Sequence, residues 1–383
     1  MKQYDYIFIG AGCAGLSLLT RMIDTGLTNG KSILLIDKSA KQTNDRTWCF
    51  WEDKPGFFEP VVCRQWEQLW FHAEGFSEKF DIAPYRYKMI RGIDFYTYCF
   101  ARIAQQPGIE ILQGTARNMA AAGNKLEIII DGQLQQFRAN CVFNSLWNQE
   151  AVAAQNAVHL LQHFKGWMIE TPDAFFNPGE GTLMDFRVSQ ANGTTFVYVL
   201  PLSATKALVE YTLFSEKLLH PAEYNLGLAS YLQTHLQLRD YHVTEEEFGV
   251  IPMTDAVFPW YEKGMYHIGT AGGRTKASSG YTFQFIQHQS AAIVRQLQQN
   301  TLQPSIQPGR VLKKFNFYDS VLLRVLANNY MPGSQVFTSM FKNNRPQDIF
   351  AFLDNATSFK QDLRIIRSFP TLPFLKAAVK RIV

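Results

Sequence analysis

The chain has 383 residues, of which 46% are hydrophobic, 18% charged and 14% aromatic, and it carries a formal net charge of +4. That length exceeds one ordinary domain and the composition excludes a disordered or fibrous protein, so two closely packed lobes are expected. The small basic excess is far from the clustered charge of a nucleic-acid binder, whereas so many aromatics can line a large apolar cavity as well as fill a core.

In chain order, a buried strand Tyr6–Ile9 runs into Gly10-Ala11-Gly12-Cys13-Ala14-Gly15, then a helix to about Thr25 and a second strand Ser32–Ile36. This order predicts a right-handed parallel βαβ unit. No signal peptide is expected ahead of the first strand. Five scattered cysteines (Cys13, Cys49, Cys63, Cys99, Cys141) without a CxxC pair predict reduced thiols in a cytoplasmic compartment, with neither a disulfide framework nor a zinc site. Residues 60–90 read as aromatic and irregular. Helical periodicity returns near Phe95–Gln105, followed by short strands at 109–113, 126–130 and 141–144. From 165 to 255 alternation predicts strands Gly166–Thr171, Leu183–Val188, Phe196–Leu200 and Ala207–Phe214.

Gly264–Gly280 reads as a glycine-rich loop opening a helix with Ile286, Ile293, Val294 and Leu297 on one face, and after Pro308 the chain reads as helical to its end. No apolar stretch reaches the 18 residues that signal a membrane span. The expected fold is α/β and Rossmann-like. Residues 1–60, about 91–160 and 260–300 would make the nucleotide-binding domain. About 61–90 and 161–259 would make a mostly antiparallel inserted substrate domain, and 301–383 a helical C-terminal region.

Gly10, Gly12 and Gly15 form GxGxxG between strand and helix, and Asp37 closes the second strand 22 residues after Gly15. A pyrophosphate needs bare backbone N–H groups at a helix N-terminus, and the acid takes the ribose hydroxyls. The second glycine-rich segment, with Gly269, Gly272 and Gly280, makes FAD the expected dinucleotide rather than NAD, although Thr270 stands where many FAD enzymes carry an Asp. Arg91, ahead of the helix Asp94–Ala104, reads either as a phosphate contact or as a solvated arginine. Alternation places Leu208, Glu210, Thr212 and Phe214 on one strand face. Glu210 is then either an exposed-strand glutamate or a desolvated proton donor. The triplet Glu245-Glu246-Glu247 ahead of a Gly-x-x-Pro turn reads as a solvated run unless a site claims it. Trp48, Phe50, Trp51 and Trp167 read equally well as core. No Ser-His-Asp order, HExxH or P-loop is present, against a hydrolase or kinase.

These pieces, in this order, resemble the flavoprotein lycopene cyclases. The resemblance runs nearly the whole length, through GAGCAGLSLL, RTWCFW, FKGWMIET, LMDFR, FVYVLPLS, ALVEYT, EEEFGVIPM, GTAGG…SSGYTF and FLDNATSFKQDLRIIRSFP. It implies reduced FAD as a non-redox helper, NAD(P)H or another donor keeping it reduced, and lycopene or another linear carotenoid as substrate. It also implies catalytic roles for Glu210, Glu245 and Glu247, and a second glycine motif that lacks the acid at Thr270. Tyr211 stands where relatives often have a second acid, and Asn144-Ser145 where an Asp-Ala-Arg-like turn is common. An insoluble C40 hydrocarbon implies peripheral association with the inner membrane from the cytoplasmic side, and the apolar-and-basic ending 369–383 suits a surface-binding helix. The competing readings are an FAD-dependent monooxygenase or halogenase of the same fold and a carotenoid carrier without chemistry.

Overall fold

The computed structural model describes residues 1–122, 125–302 and 310–382. The strand Lys2–Ile9 lies at the centre of an eight-stranded sheet, with Ile7, Phe8 and Ile9 all buried. It pairs in parallel with Ile33–Asp37 on one side and Gln133–Asn144 on the other, and Ile109–Gln113 and Met265–His267 extend the parallel order outward. Continuous apolar runs suit a sheet covered on both faces. The helices Cys13–Asp24, Gly92–Ile103 and Phe283–Gln298 supply Leu16, Leu19, Phe95, Cys99, Ile286 and Ile293 to one core with Phe8, Leu35 and Phe143. The first and second glycine-rich segments therefore meet in one lobe.

The inserted sheet has seven strands, in the order His242–Thr254, His159–Glu170, Lys206–Ser215, Thr194–Pro201, Glu180–Asp185, Gln68–Ala73 and Phe76–Asp81. All pairings are antiparallel except that of Glu180–Asp185 with Gln68–Ala73. The alternation of Lys206–Ser215 sorts its side chains. Val209, Tyr211 and Leu213 pack on the helix Pro221–Thr234, while Leu208 and Phe214 face the other core. The helices Arg310–Ala327, Gly333–Asn343, Pro346–Leu353 and Phe359–Arg367 roof that second face through Leu323, Phe337, Met340, Ile349, Phe350 and Ile365. The terminal helix Thr371–Ile382 packs mainly on Arg310–Ala327. A buried ion pair ties roof to site: Lys276 Nζ lies 2.9 Å from Asp319 and donates to Asn355 Oδ1 at 2.7 Å. Among the described residues no helix is long and apolar enough to cross a membrane.

Several element boundaries depart from the sequence reading. Residues 60–90 are not irregular: Gln68–Ala73 and Phe76–Asp81 form a hairpin through Gly75 at φ +68, burying Leu69, Phe71 and Ala73 by strict alternation. Arg64–Trp66 and Arg86–Arg91 join Thr47–Glu52 in a third, three-stranded sheet. The helix Pro221–Thr234 was not anticipated. Its buried residues Tyr224, Leu228, Tyr231 and Leu232 have helical spacing, but exposed Leu226 and mid-helix Gly227 blur the stripe. Gly227 is needed for close approach, since a Cβ there would lie 2.8 Å from the Tyr211 ring. The expected strand Leu183–Val188 is shifted to Glu180–Asp185, and Gly166–Thr171 is the end of the longer His159–Glu170. Part of the expected helical run after Pro308 lies outside the described residues.

Candidate active site

A cavity of about 330 Å³ lies between the inserted sheet and the three-stranded sheet. Its walls come from the third sheet (Thr47, Trp48, Cys49, Tyr87), the inserted sheet (Phe164, Tyr198, Leu208, Glu210) and the second glycine segment (Gly280, Tyr281, Thr282, Phe283). Phe248 and Val250 line its rim and are themselves exposed, so one apolar edge faces outward.

Three adjacent strands place the acids. Gly166, on His159–Glu170, is directly opposite Glu210 on one neighbour and Glu247 on the other. Directly opposed residues point to the same face, so both glutamates stand on the face of Gly166, with the Glu247 side chain lying over it. Glu210 lines the cavity and accepts from Thr212 Oγ1 at 2.8 Å. Burial, and next the charge of Glu247, push its carboxyl well above the usual range. Glu247 lies behind it, 6% exposed, and accepts from Thr47 Oγ1 at 2.7 Å. Burial raises Glu247 too, while the Thr47 hydroxyl and the Arg46 guanidinium oppose the rise. Burial favours the protonated form of both carboxyls, and at Glu210 the neighbouring charge of Glu247 adds to it, so the pair resists losing both protons. Glu247 is the hydrogen-bonding neighbour of the Glu210 carboxyl. The buried Glu247 Oε1 accepts from no N–H or O–H donor among the described residues.

Glu245 does not join this pair. Two positions back along its strand, it has a 35% exposed side chain, lies 3.4 Å from Arg91 Nη2 and accepts from Asn44 Nδ2 at 3.0 Å. Arg91, read as a phosphate contact or a solvated arginine, directs its guanidinium at Glu245. Glu246 points to the opposite face, paired with Lys165 at 2.9 Å. Thr47, Arg46 and Gly166 were not singled out from the sequence. They sit inside the RTWCFW and FKGW stretches, but only strand register shows what they face. Thr47→Val should remove the hydroxyl that holds Glu247 and leave a buried carboxylate oxygen without its donor. A loss of about 1.5–3 kcal/mol is expected for a hydrogen bond to a charged group, read as a drop in thermal midpoint with the fold retained.

The other half of the site is a glycine turn at an open helix end. Gly10 takes φ +101, and a Cβ on Gly15 would stand 2.1 Å from the Gly10 carbonyl oxygen, so the turn closes only on glycine. A Cβ on Gly12 would meet nothing within 4 Å, and no side chain caps the helix Cys13–Asp24 that starts there. An open, positively polarised helix end is what a dinucleotide pyrophosphate requires. Asp37 Oδ2 accepts from Ala11 N at 2.6 Å and Oδ1 from Ser39 N at 2.8 Å, which fixes the acid beside the turn. Gly269, at φ +61, packs on the same helix end, where a Cβ would lie 2.5 Å from Ala14 Cβ. Gly269 N donates to Gln289 Oε1, and Gly272 is closed against the His267 carbonyl. Gly280, at φ +71, borders the acid cavity. At 144–145 the polar groups are spent on the chain itself: Asn144 meets His267 Nδ1 at 3.2 Å and Ser145 Oγ donates to the Ile9 carbonyl.

A parallel nucleotide sheet with a glycine cradle, an inserted antiparallel sheet and a helical roof is the architecture of the FAD/NAD(P)-binding, Rossmann-like flavoproteins. Solved structures with this fold include a flavoprotein/dehydrogenase from Cytophaga hutchinsonii (TM-score 0.63, 10% identity, 100% of this chain and 99% of that one). Another is a geranylgeranyl bacteriochlorophyll reductase-like protein from Thermoplasma acidophilum (0.58, 12%, 100% and 99%). The flavin-dependent brominase Bmp2 is a third (0.60, 12%, 99% and 99%). The chain belongs to the lycopene cyclase family, whose model, described as lycopene cyclase protein, matches residues 5–379. It is 27% identical over 294 residues to the lycopene beta-cyclase of Pantoea ananas, covering 73% of this chain and 71% of the relative. To the lycopene beta-cyclase of Pseudescherichia vulneris it is 24% identical over 293 residues, covering 73% and 70%.

Proposed function

We propose that this chain closes β-ionone rings on the linear ends of lycopene, an acid–base isomerisation in carotenoid biosynthesis that gains and loses no atoms. The observation that carries the reading is the buried Glu210 carboxyl, backed by Glu247, on the wall of a cavity otherwise built largely of aromatic and aliphatic side chains. Glu210 donates its proton to a terminal double bond. The neighbouring double bond attacks the tertiary cation, and a ring carbon returns one proton to the Glu210 carboxylate, so acid and charge are restored each turnover. Glu247, behind the wall, holds Glu210 in its protonated form and orients it. Tyr87, Tyr198, Tyr281 and Phe164 exclude water and offer ring faces to the cation, each contributing about 1–2 kcal/mol when desolvated.

Gly10, Gly12, Gly15, Asp37, Gly269 and Gly272 would hold FAD. Bound in reduced form, the flavin would supply an electron-rich ring, with NAD(P)H as the donor that would keep it reduced. Gly12→Val has room to fold but fills the cradle, so it should purify as a stable protein with a sharply reduced flavin-to-protein absorbance ratio. Full flavin content in that variant would show the cradle is elsewhere.

The proposed location is the cytoplasmic face of the inner membrane. Exposed Leu372, Leu375 and Val379 on the terminal helix, beside Lys376 and Lys380, suit an anionic bilayer surface. The function is tested by expressing the chain in lycopene-accumulating bacteria and analysing the pigments. Cyclic carotene of unchanged mass is expected. A product heavier by oxygen or halogen, or unconverted lycopene beside flavin-loaded protein, would overturn the reading in favour of a redox flavoprotein or a carrier.

A further inference from the structure

Gly166 occupies the middle of a twelve-residue strand that is paired along both edges. Glycine there costs about 0.5–1 kcal/mol relative to alanine and packs nothing, so the position calls for a reason. Its φ is not in the left-handed region, and turn geometry therefore supplies none. The space above it supplies one. The nearest atoms to a Cβ built on Gly166 would be Glu247 Cγ at 2.9 Å, Leu208 Cδ1 at 3.0 Å and Glu247 Oε1 at 3.2 Å. The Glu247 side chain thus lies across the glycine, reaching toward the strand that carries Glu210. Opposed Cα atoms on paired strands are about 4.5–5.5 Å apart, so Glu210 and Glu247 start roughly 10 Å apart. Their carboxyls can meet only over the central residue.

We infer that Gly166 is a positioning residue, whose missing side chain leaves the space through which the Glu247 carboxyl reaches Glu210. This rests on the reading of Glu210 as the acid. With any larger residue the Glu247 side chain must swing off the central strand, which parts the two carboxyls and gives Glu210 back to whatever else surrounds it. Around Glu210 these are Cys49, Tyr87, Tyr198 and the Thr212 hydroxyl, while Asp45, Arg46 and the Thr47 hydroxyl face Glu247. None of them is among the atoms nearest the added methyl.

The test uses the flavin-loaded full chain and two readouts. The first is the infrared carbonyl band of a protonated carboxylic acid at neutral pH, assigned by its loss in Glu210→Gln; it needs no turnover and stands whether or not the substrate is lycopene. The second is cyclisation rate. Gly166→Ala is expected to shift or weaken the band and to slow cyclisation about a hundredfold, the scale of an ångström-sized misplacement. Made on top of Glu247→Ala, where the obstructed side chain is gone, the same change should alter neither readout further. An unchanged band in Gly166→Ala, or an equal loss in both backgrounds, would overturn the inference. If Gly166→Ala alone does not fold, the comparison of Glu247→Ala with the double variant decides: further loss in the double variant overturns it, and equality upholds it.

Discussion

Glu210→Gln should purify with a normal flavin content and an unchanged fold, yet lose cyclisation by about 10²–10⁴-fold, the range a positioned general acid contributes. The substitution separates shape from proton. Glutamine is uncharged and nearly isosteric with the protonated carboxyl that burial favours at this position, so the Thr212 contact and the packing on Leu208 have no cause to change. What it lacks is an acidic hydrogen to hand to a double bond and a carboxylate to take one back. The glycine cradle is built from other strands, and flavin absorbance should be untouched. The Tyr211 hydroxyl cannot replace the acid: it is on the opposite strand face, in the core under the helix Pro221–Thr234. Measured on pigment extracts and on purified protein together, a variant converting lycopene at the wild-type rate would remove Glu210 from the mechanism.

The nucleotide half of this molecule is legible in sequence because each feature is local. Gly10, Gly12, Gly15 and Asp37 lie within one strand–turn–helix–strand unit, and the fold keeps that unit with Asp37 bonded to the turn. The acid half is not local. Whether Glu210 is solvated or desolvated depends on what covers its strand face, and the cover comes from residues 46–49, 87 and 281, far away in the chain. The triplet 245–247 shows the same limit more sharply. Period-2 alternation separates Glu246 from its neighbours, but it cannot tell that Glu247 meets Thr47 while Glu245, on the same face, meets Arg91 and Asn44. Residues 60–90 resisted reading because their strands are short and split between two sheets. Gly166 looks like any glycine until the register on both sides is known.

A proton held by the folded chain and released by the unfolded one must make stability depend on pH, and here the sign is opposite to that of a salt-bridged acid. An unfolded glutamate loses its proton near pH 4.3, whereas Glu210 in the fold keeps its proton well above that. Between those two points the native state binds one proton more than the unfolded state, so stability falls as pH rises, by up to about 1.4 kcal/mol per pH unit for this group. Asp354, pushed up to about 7 by burial, adds a slope of the same sign below that pH. Buried His163, pushed down to about 4, contributes the reverse sign between there and its ordinary 6.5. The wild-type curve mixes these with other shifted groups, Glu247 among them, but the difference between wild type and Glu210→Gln isolates the Glu210–Glu247 pair, because the glutamine has no proton to lose. Thermal midpoints or denaturant unfolding, followed in steps from about pH 5 upward, should therefore show Glu210→Gln gaining on the wild type with each unit. The gain should end only where the Glu210–Glu247 pair itself ionises. Parallel curves across that window would mean that Glu210 ionises in the fold as it does in water. A group of that kind could not keep a proton for an apolar double bond at neutral pH.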